Sequence, residues 1–153
     1  MSAVDLSPIV KVIEVRRSAA DAFRLFTEET SAWWPLATHS RGRTAEGEIA
    51  EAMTIEPRVG GRVYETWTNG ETKDWGEVLA FEPGKRFAMT WNIQAGTEVE
   101  VRFEALAPDQ CRVTLTHSKW ELIDPELAAK RGAYEGGWGA VFEKAFGDYA
   151  GRN

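Results

Sequence analysis

The chain has 153 residues, 43% of them apolar and 27% charged, a balance typical of one folded domain over residues 1–153 rather than of a disordered chain. Its net charge is −6 without any cluster of Lys and Arg, which argues against nucleic acid and membrane surfaces as partners. No apolar run approaches 18 residues, no signal-peptide pattern is present and Cys111 is the only cysteine, so we expect a cytoplasmic protein without an internal disulfide.

The first predicted elements are a strand and a short helix. Residues 8–15 are rich in β-branched side chains and predict a strand. Ser18 is a suitable N-cap residue with Asp21 three positions later, which predicts a helix over about 19–29. Residues 30–34 extend this helix by one turn, which Pro35 ends, and the polar residues 36–47 predict a loop.

From residue 48 onward, apolar side chains recur at every second position, as in half-buried strands. Six such runs follow one another: 49–56, 62–67, 75–81, 86–93, 98–104 and 111–119. The turns between them are short, and Asn69-Gly70 is the strongest signal because both residues accept the positive φ of a type I′ hairpin. The spacing predicts an antiparallel meander.

The last thirty residues predict a helix that begins at Asp124-Pro125 and ends at Gly151. Its apolar stripe consists of Leu127, Tyr134, Trp138, Val141, Phe142, Ala145, Phe146 and Tyr149. Internal glycines divide this predicted helix into a short first helix near 125–131, called the lead-in, and a main helix over about 132–150. Because the apolar face of an antiparallel sheet has to be covered, we predict an α+β helix-grip fold. In this fold a curved antiparallel sheet wraps around the long C-terminal helix, with one or two short helices after the first strand.

Short motifs follow one another along nearly the whole chain. They are Phe26-Thr27, Trp33-Trp34-Pro35, the run Glu56-Pro57-Arg58-Val59-Gly60-Gly61-Arg62, Trp75-Gly76-Glu77-Val78, Pro83 with Thr90-Trp91, residues 99–103, Leu115-Thr116-His117, and Tyr134 with Gly137-Trp138. In this order they resemble a bacterial branch of the START-like (Bet v 1-like, SRPBCC) superfamily, related to the C-terminal domain of activators of the heat-shock chaperone ATPase.

The resemblance implies the helix-grip fold and a cavity between the sheet and the long helix. Relatives carry apolar ligands, cyclise polyketides or assist chaperones, and the last of these roles would link the protein to the stress response. The chaperone activators also carry a separate N-terminal chaperone-binding domain, which is absent from this sequence. A chaperone co-factor role is therefore kept only as the third interpretation, which rests on the resemblance alone.

An aromatic-rich cavity is the leading functional interpretation, with the chain as a binding protein for a hydrophobic or amphipathic small molecule. The adjacent Trp33 and Trp34 are singled out because neighbouring helical positions face different ways, so one could pack in the core and the other at the cavity mouth. The predicted ligand-binding residues are Trp33, Trp34, Met53, Trp67, Trp75, Glu77, Met89, Trp91, His117, Tyr134 and Trp138.

Polar side chains share strand faces with large apolar ones and give a second interpretation. Glu77 and His117 would line the cavity and serve as acid or base of a cyclase, hydratase or hydrolase, whereas Glu51 and Glu65 are expected to be solvated or structural. A metal site would combine His117 with two of these glutamates and with His39 as a further ligand. These residues lack the spacing of a metal motif, so no metal is predicted.

Other candidate features have structural explanations. Cys111 is expected to be a core residue rather than a nucleophile. Gly60-Gly61 lies between strands and the glycines of 132–139 lie within a helix, so neither is a phosphate loop and no cofactor is predicted. Small residues lie on the back of the C-terminal helix. They could let another backbone approach closely, leave room for a ligand, or form the contact surface of a homodimer. They are Gly132, Gly136, Gly139, Ala140 and Gly147.

Overall fold

The computed structural model of the chain describes residues 5–35, 50–92 and 95–151. Its seven strands form one antiparallel sheet in the order β1-β7-β6-β5-β4-β3-β2, curled around a C-terminal helix. The strands are β1 (Ile9–Val15), β2 (Ala50–Ile55), β3 (Arg62–Trp67), β4 (Thr72–Glu82), β5 (Arg86–Trp91), β6 (Thr97–Ala107) and β7 (Gln110–Ser118). The predicted helix-grip fold is confirmed, and the predicted loop 36–47 with His39 lies outside the described residues.

Two short helices follow β1. Helix α1 (Ala19–Glu28) begins where the Ser18 hydroxyl accepts a hydrogen bond from the Asp21 backbone N–H at 3.0 Å. Helix α2 (Thr30–Trp33) adds the predicted extra turn, after which Trp34 has an extended backbone. The buried face of α1 packs against the sheet and closes one end of the core.

The turn between β3 and β4 differs from its predicted type. The Gly70 N–H donates to the Trp67 carbonyl at 2.9 Å, and Gly70 has a φ of +89° while Asn69 does not have a positive φ. This is a three-residue hairpin loop with a glycine in the left-handed region rather than a type I′ turn. The hairpin itself is where the sequence predicts it.

Two β-bulges in β4 change which of its side chains face the helix. The register shifts between β3 and β4 at Trp75–Gly76, and between β4 and β5 at Leu79. At Gly76 a Cβ atom would lie 1.8 Å from the Thr90 carbonyl oxygen, so this close approach requires glycine. Trp75, Val78 and Phe81 consequently pack on the inner side, and Glu77 turns outward with Leu79. Glu77 therefore does not share a face with the large apolar side chain of Trp75, contrary to the prediction.

The C-terminal segment consists of several helical pieces. They are a 3-10 turn (Trp120–Leu122), α3 (Pro125–Ala128), α4 (Arg131–Trp138), a π-helical segment (Gly139–Phe146) and α5 (Gly147–Ala150), which ends at Gly151 with a φ of +84°. The predicted lead-in and main helix are confirmed. The wider π turn makes buried residues recur at every fourth position, namely Trp138, Phe142, Phe146 and Ala150. Tyr134 and Ala145 are half-buried.

The glycines on the back of this helix are not required by packing within the described part of the chain. A Cβ atom at Gly132, Gly136 or Gly137 would meet none of the described atoms within 4 Å. The described part of this chain therefore makes no close backbone approach at these glycines, and a second subunit there stays a prediction. None of the helices in the described ranges is long and apolar enough to cross a membrane.

Candidate functional site

Aromatic side chains beneath the C-terminal helix form two adjoining clusters. The phenyl cluster, in which neighbouring ring centroids lie 5.1–6.1 Å apart, consists of Phe23, Phe26, Phe81, Phe87, Phe103, Phe142 and Phe146. The indole cluster, with centroids 4.4–6.5 Å apart, consists of Trp34, Trp75, Trp91, Trp120, Trp138, Tyr134 and His117. Trp33 connects them, because its ring lies 5.0 Å from Phe146 and 5.5 Å from Trp34.

A small enclosed cavity of about 20 Å³ lies where the two clusters meet. Six of the predicted ligand-binding residues line it: Trp33, Trp34, Met53, Met89, Trp91 and Trp138. The sequence analysis missed the other lining residues: Phe26, Thr30, Ile55, Val63, Phe87 and Val99. This volume holds about one water molecule, whereas ligand pockets usually measure about 300–1,000 Å³. Larger molecules require the cavity to widen.

Trp91, which lines this cavity, has a buried polar group that the described residues do not satisfy. Its side chain is 4% exposed, and its indole N–H has no hydrogen-bond partner among the described residues. Leaving a buried donor without an acceptor costs about 1–3 kcal/mol. The ring is held in place by Trp75, Trp138 and His117, with centroids 5.2, 5.1 and 5.6 Å away. The unsatisfied N–H is thus held within a packed aromatic environment.

His117 is fully buried at the β7 side of the indole cluster, and both of its ring nitrogens are engaged. The Trp138 indole N–H donates to Nδ1 at 3.0 Å, which requires Nδ1 to be unprotonated, so the Nε2 proton is donated to the Thr97 hydroxyl at 2.9 Å. Burial, reinforced by the positive charge of Arg131, lowers the pKa of His117 to about 3. His117 is therefore a neutral, fixed member of the indole cluster and is not among the residues that line the cavity.

Glu65 is a fully buried acidic side chain at the β3 side of the same cluster. Its carboxyl oxygens accept hydrogen bonds from two indole N–H groups, from Trp67 and, at 2.8 Å, from Trp75. Glu65 thereby orients Trp75, whose ring packs 5.1 Å from Trp34. Glu65 is therefore structural, the second of the two roles expected for it, and its strand phase with Val63 and Trp67 already predicts an inward side chain.

The remaining predicted polar residues lie away from the cavity. Glu77 is exposed because of the bulges in β4, so its predicted place in the cavity is wrong. Glu51 is exposed at a bulge of the edge strand β2, as expected for a solvated residue. Cys111 is buried, which raises the pKa of its thiol to about 11, as expected for a core residue. The described residues contain no group of three potential metal ligands.

Ion pairs fix the helix to the β1 edge of the sheet. The Lys11 ammonium lies 3.6 Å from carboxylate oxygens of both Glu135 and Glu143. The Arg131 guanidinium donates to the Ser7 carbonyl at 2.6 Å and lies 3.3 Å from the Glu135 carboxylate. These contacts hold the helix along β1.

Comparisons with known proteins agree with this architecture. The model of the family described as Activator of Hsp90 ATPase homolog 1-like protein matches residues 16–151. No curated protein sequence matches the chain significantly. Among solved structures, the anthrahydroquino-γ-pyrone synthase Txn09 is 28% identical, with a TM-score of 0.53 over 76% of this chain and 79% of that chain.

Two further structures show the same fold at lower identity. CalC, a self-sacrificing resistance protein from Micromonospora echinospora, is 20% identical with a TM-score of 0.67 over 95% of this chain and 94% of that chain. An HSP90 activator from Plasmodium falciparum is 16% identical with a TM-score of 0.63 over 96% of this chain and 98% of that chain. On the family match and this shared fold, the chain belongs to the Activator of Hsp90 ATPase homolog 1-like family.

Proposed function

We propose that the chain binds a small, flat hydrophobic or amphipathic molecule between the sheet and the C-terminal helix, against the indole cluster. The observation that carries this proposal is the buried N–H of Trp91, a cavity-lining residue, which has no acceptor among the described residues. A carbonyl or ether oxygen of a ligand would satisfy this donor. The surrounding rings offer flat apolar surface for the remainder of the molecule.

Binding requires the gap beneath the helix to widen, and the helix has the features that such a motion needs. Its π-helical segment, Gly139–Phe146, directly follows the cavity-lining Trp138, and π-helical turns are frequent at functional sites. Gly132, Gly136 and Gly137 weaken the preceding turns by about 1 kcal/mol each relative to Ala. These features lower the local stability of the helix, so the gap can widen on the β2 side while Lys11 and Arg131 hold the helix along β1.

The geometry does not favour the enzyme alternative with Glu77 or His117 as acid or base. Glu77 is on the outer face of the sheet, and both nitrogens of His117 are engaged by Trp138 and Thr97.

The similarity to Txn09, a synthase whose name describes a polycyclic product, supports a flat aromatic ligand. A chaperone role is suggested by the family description and by the name of the Plasmodium structure.

A fluorescence titration with Nile red, a flat neutral dye with a carbonyl oxygen, tests the proposal. We expect wild-type protein to bind the dye and Trp91→Phe to bind it about tenfold more weakly, because one hydrogen bond of about 1.4 kcal/mol is lost. Trp33→Phe is the matched control, since Trp33 lines the same cavity but its N–H already donates to the Leu25 carbonyl at 3.2 Å. Equal weakening in both variants, or no binding by the wild type, would contradict the proposal.

A further inference from the structure

A second concavity lies on the surface between the short helices and the edge strand β2. It is a groove of about 310 Å³, close to the lower limit of ligand-binding pockets. Helices α1 and α2 form one wall, with Thr27, Glu28 and Ser31, and the strands form the other. The groove is open to solvent and contains both polar and apolar side chains.

The groove and the inner cavity have two lining residues in common. Met53 and Ile55 of β2 line both spaces, and both side chains are buried. The two volumes are therefore separated by a layer one side chain thick. Met53 is the more adaptable part of this layer, because methionine is unbranched and changes rotamer at low cost.

The backbone around Met53 is fixed although β2 is an edge strand. The Ser31 hydroxyl accepts from the Met53 N–H at 2.8 Å and donates to the Met53 carbonyl at 2.9 Å. A side-chain movement of Met53 can thus open the layer without moving the strand. On the opposite edge, Lys11 and Arg131 tie the helix to β1, so access is easier from the β2 side.

We propose that the groove and the inner cavity are two parts of one ligand site, with Met53 and Ile55 as the gate between them. This inference rests on the proposed function and adds the access route and the class of ligand. The flat apolar part of the ligand passes the gate to reach the indole cluster, and its polar end stays in the groove beside Thr54 and Glu28. Because Glu28 is acidic and no cation among the described residues lines the groove, the polar end is neutral or positively charged.

Stopped-flow mixing with Nile red tests the gate. We expect Met53→Ala to raise the association rate constant at least about fivefold, because the layer between the two spaces becomes thinner. Val101→Ala is the control, since Val101 is buried on β6 but lines neither space, and its association rate should stay within about twofold of the wild-type value. If Met53→Ala does not fold, Ile55→Val provides the same test with a smaller expected increase, about twofold.

The polar end is tested with the anionic dye 1-anilinonaphthalene-8-sulfonate. We expect Glu28→Lys to raise its affinity about fivefold and to leave the affinity for Nile red unchanged. Glu104→Lys changes the net charge equally on an exposed part of β6 and should have no such effect. If the wild type binds neither dye, the proposed function fails. If it binds but gate and control variants behave alike, the function stands and only the access route is refuted.

Discussion

The phenyl cluster and the indole cluster bury aromatic rings equally well, yet they differ in the polar groups that they contain. Beside the phenyl cluster, the buried hydroxyls of Thr27 and Thr30 donate to backbone carbonyls of their own helical segment. The indole cluster contains Glu65, His117 and the Trp91 N–H. Burying such groups costs free energy that an apolar core avoids. We propose from this difference that the phenyl cluster maintains the fold, whereas the indole cluster binds the ligand.

The largest expected effect is in the phenyl cluster. Phe146 is fully buried and contacts Phe26, Trp33 and Phe142. We expect Phe146→Ala to lower the free energy of unfolding by about 3–5 kcal/mol, because the lost ring leaves a cavity in a packed core. Urea denaturation followed by circular dichroism measures this change. A loss below about 1 kcal/mol would show that the phenyl cluster does not maintain the fold.

Removal of Glu65 tests whether buried polar groups organise the indole cluster. In Glu65→Ala the indole N–H groups of Trp67 and Trp75 lose their acceptor, and we expect the free energy of unfolding to fall by about 2–4 kcal/mol. The same measurement on Glu77→Ala is the control. Because Glu77 is exposed, the free energy of unfolding of this variant should hardly change. Similar losses in both variants would mean that Glu65 does not organise the cluster.

His117 predicts a dependence of stability on pH. In the unfolded chain its pKa is near 6.5, whereas in the folded protein burial lowers its pKa to about 3. Acidification between these values protonates the unfolded state first, so stability decreases as pH falls, by up to about 1.4 kcal/mol per pH unit. Urea midpoints at about pH 7, 6 and 5 measure the slope.

His117→Gln provides the control for this slope. A glutamine side chain can accept from Trp138 and donate to Thr97 without titrating, so the variant should lose most of the slope above pH 5. The carboxyls of Asp21 and Glu29, whose pKa values are lowered mainly by hydrogen bonds to Arg24 and Tyr149 respectively, contribute below that window. An unchanged slope in the variant would contradict the assignment to His117.

The smallest expected effect concerns the back of the helix. Gly136 is exposed, and a Cβ atom there would meet none of the described atoms within 4 Å. We expect Gly136→Ala to raise the free energy of unfolding by about 0.5–1 kcal/mol and to weaken Nile red binding, because a stiffer helix opens less readily. Thermal unfolding and the dye titration measure both quantities. If Gly136→Ala stabilises the protein without weakening Nile red binding, the helix glycines do not contribute to the opening of the site.

Local signals were sufficient to predict the fold. Period-two alternation and turn residues located the strands, and Asp124-Pro125 and Gly151 marked the helical C-terminal segment. The bulges of β4 could not be predicted, because they depend on the approach of Gly76 to the Thr90 carbonyl of a neighbouring strand. The error at Glu77 follows directly from this. Cavity volume and the unsatisfied Trp91 N–H depend on packing among distant segments, which periodicity does not describe.

The most direct test of the binding site is an NMR titration of protein labelled with ¹⁵N at its seven tryptophans. The Trp91 indole resonance is assigned from its absence in Trp91→Phe, and coumarin, a flat lactone with a carbonyl oxygen, is the added ligand. We predict that the Trp91 N–H signal moves furthest, to lower field, as it gains an acceptor, while the Trp33 signal moves little. An unmoved Trp91 signal at saturating coumarin would contradict binding at the indole cluster.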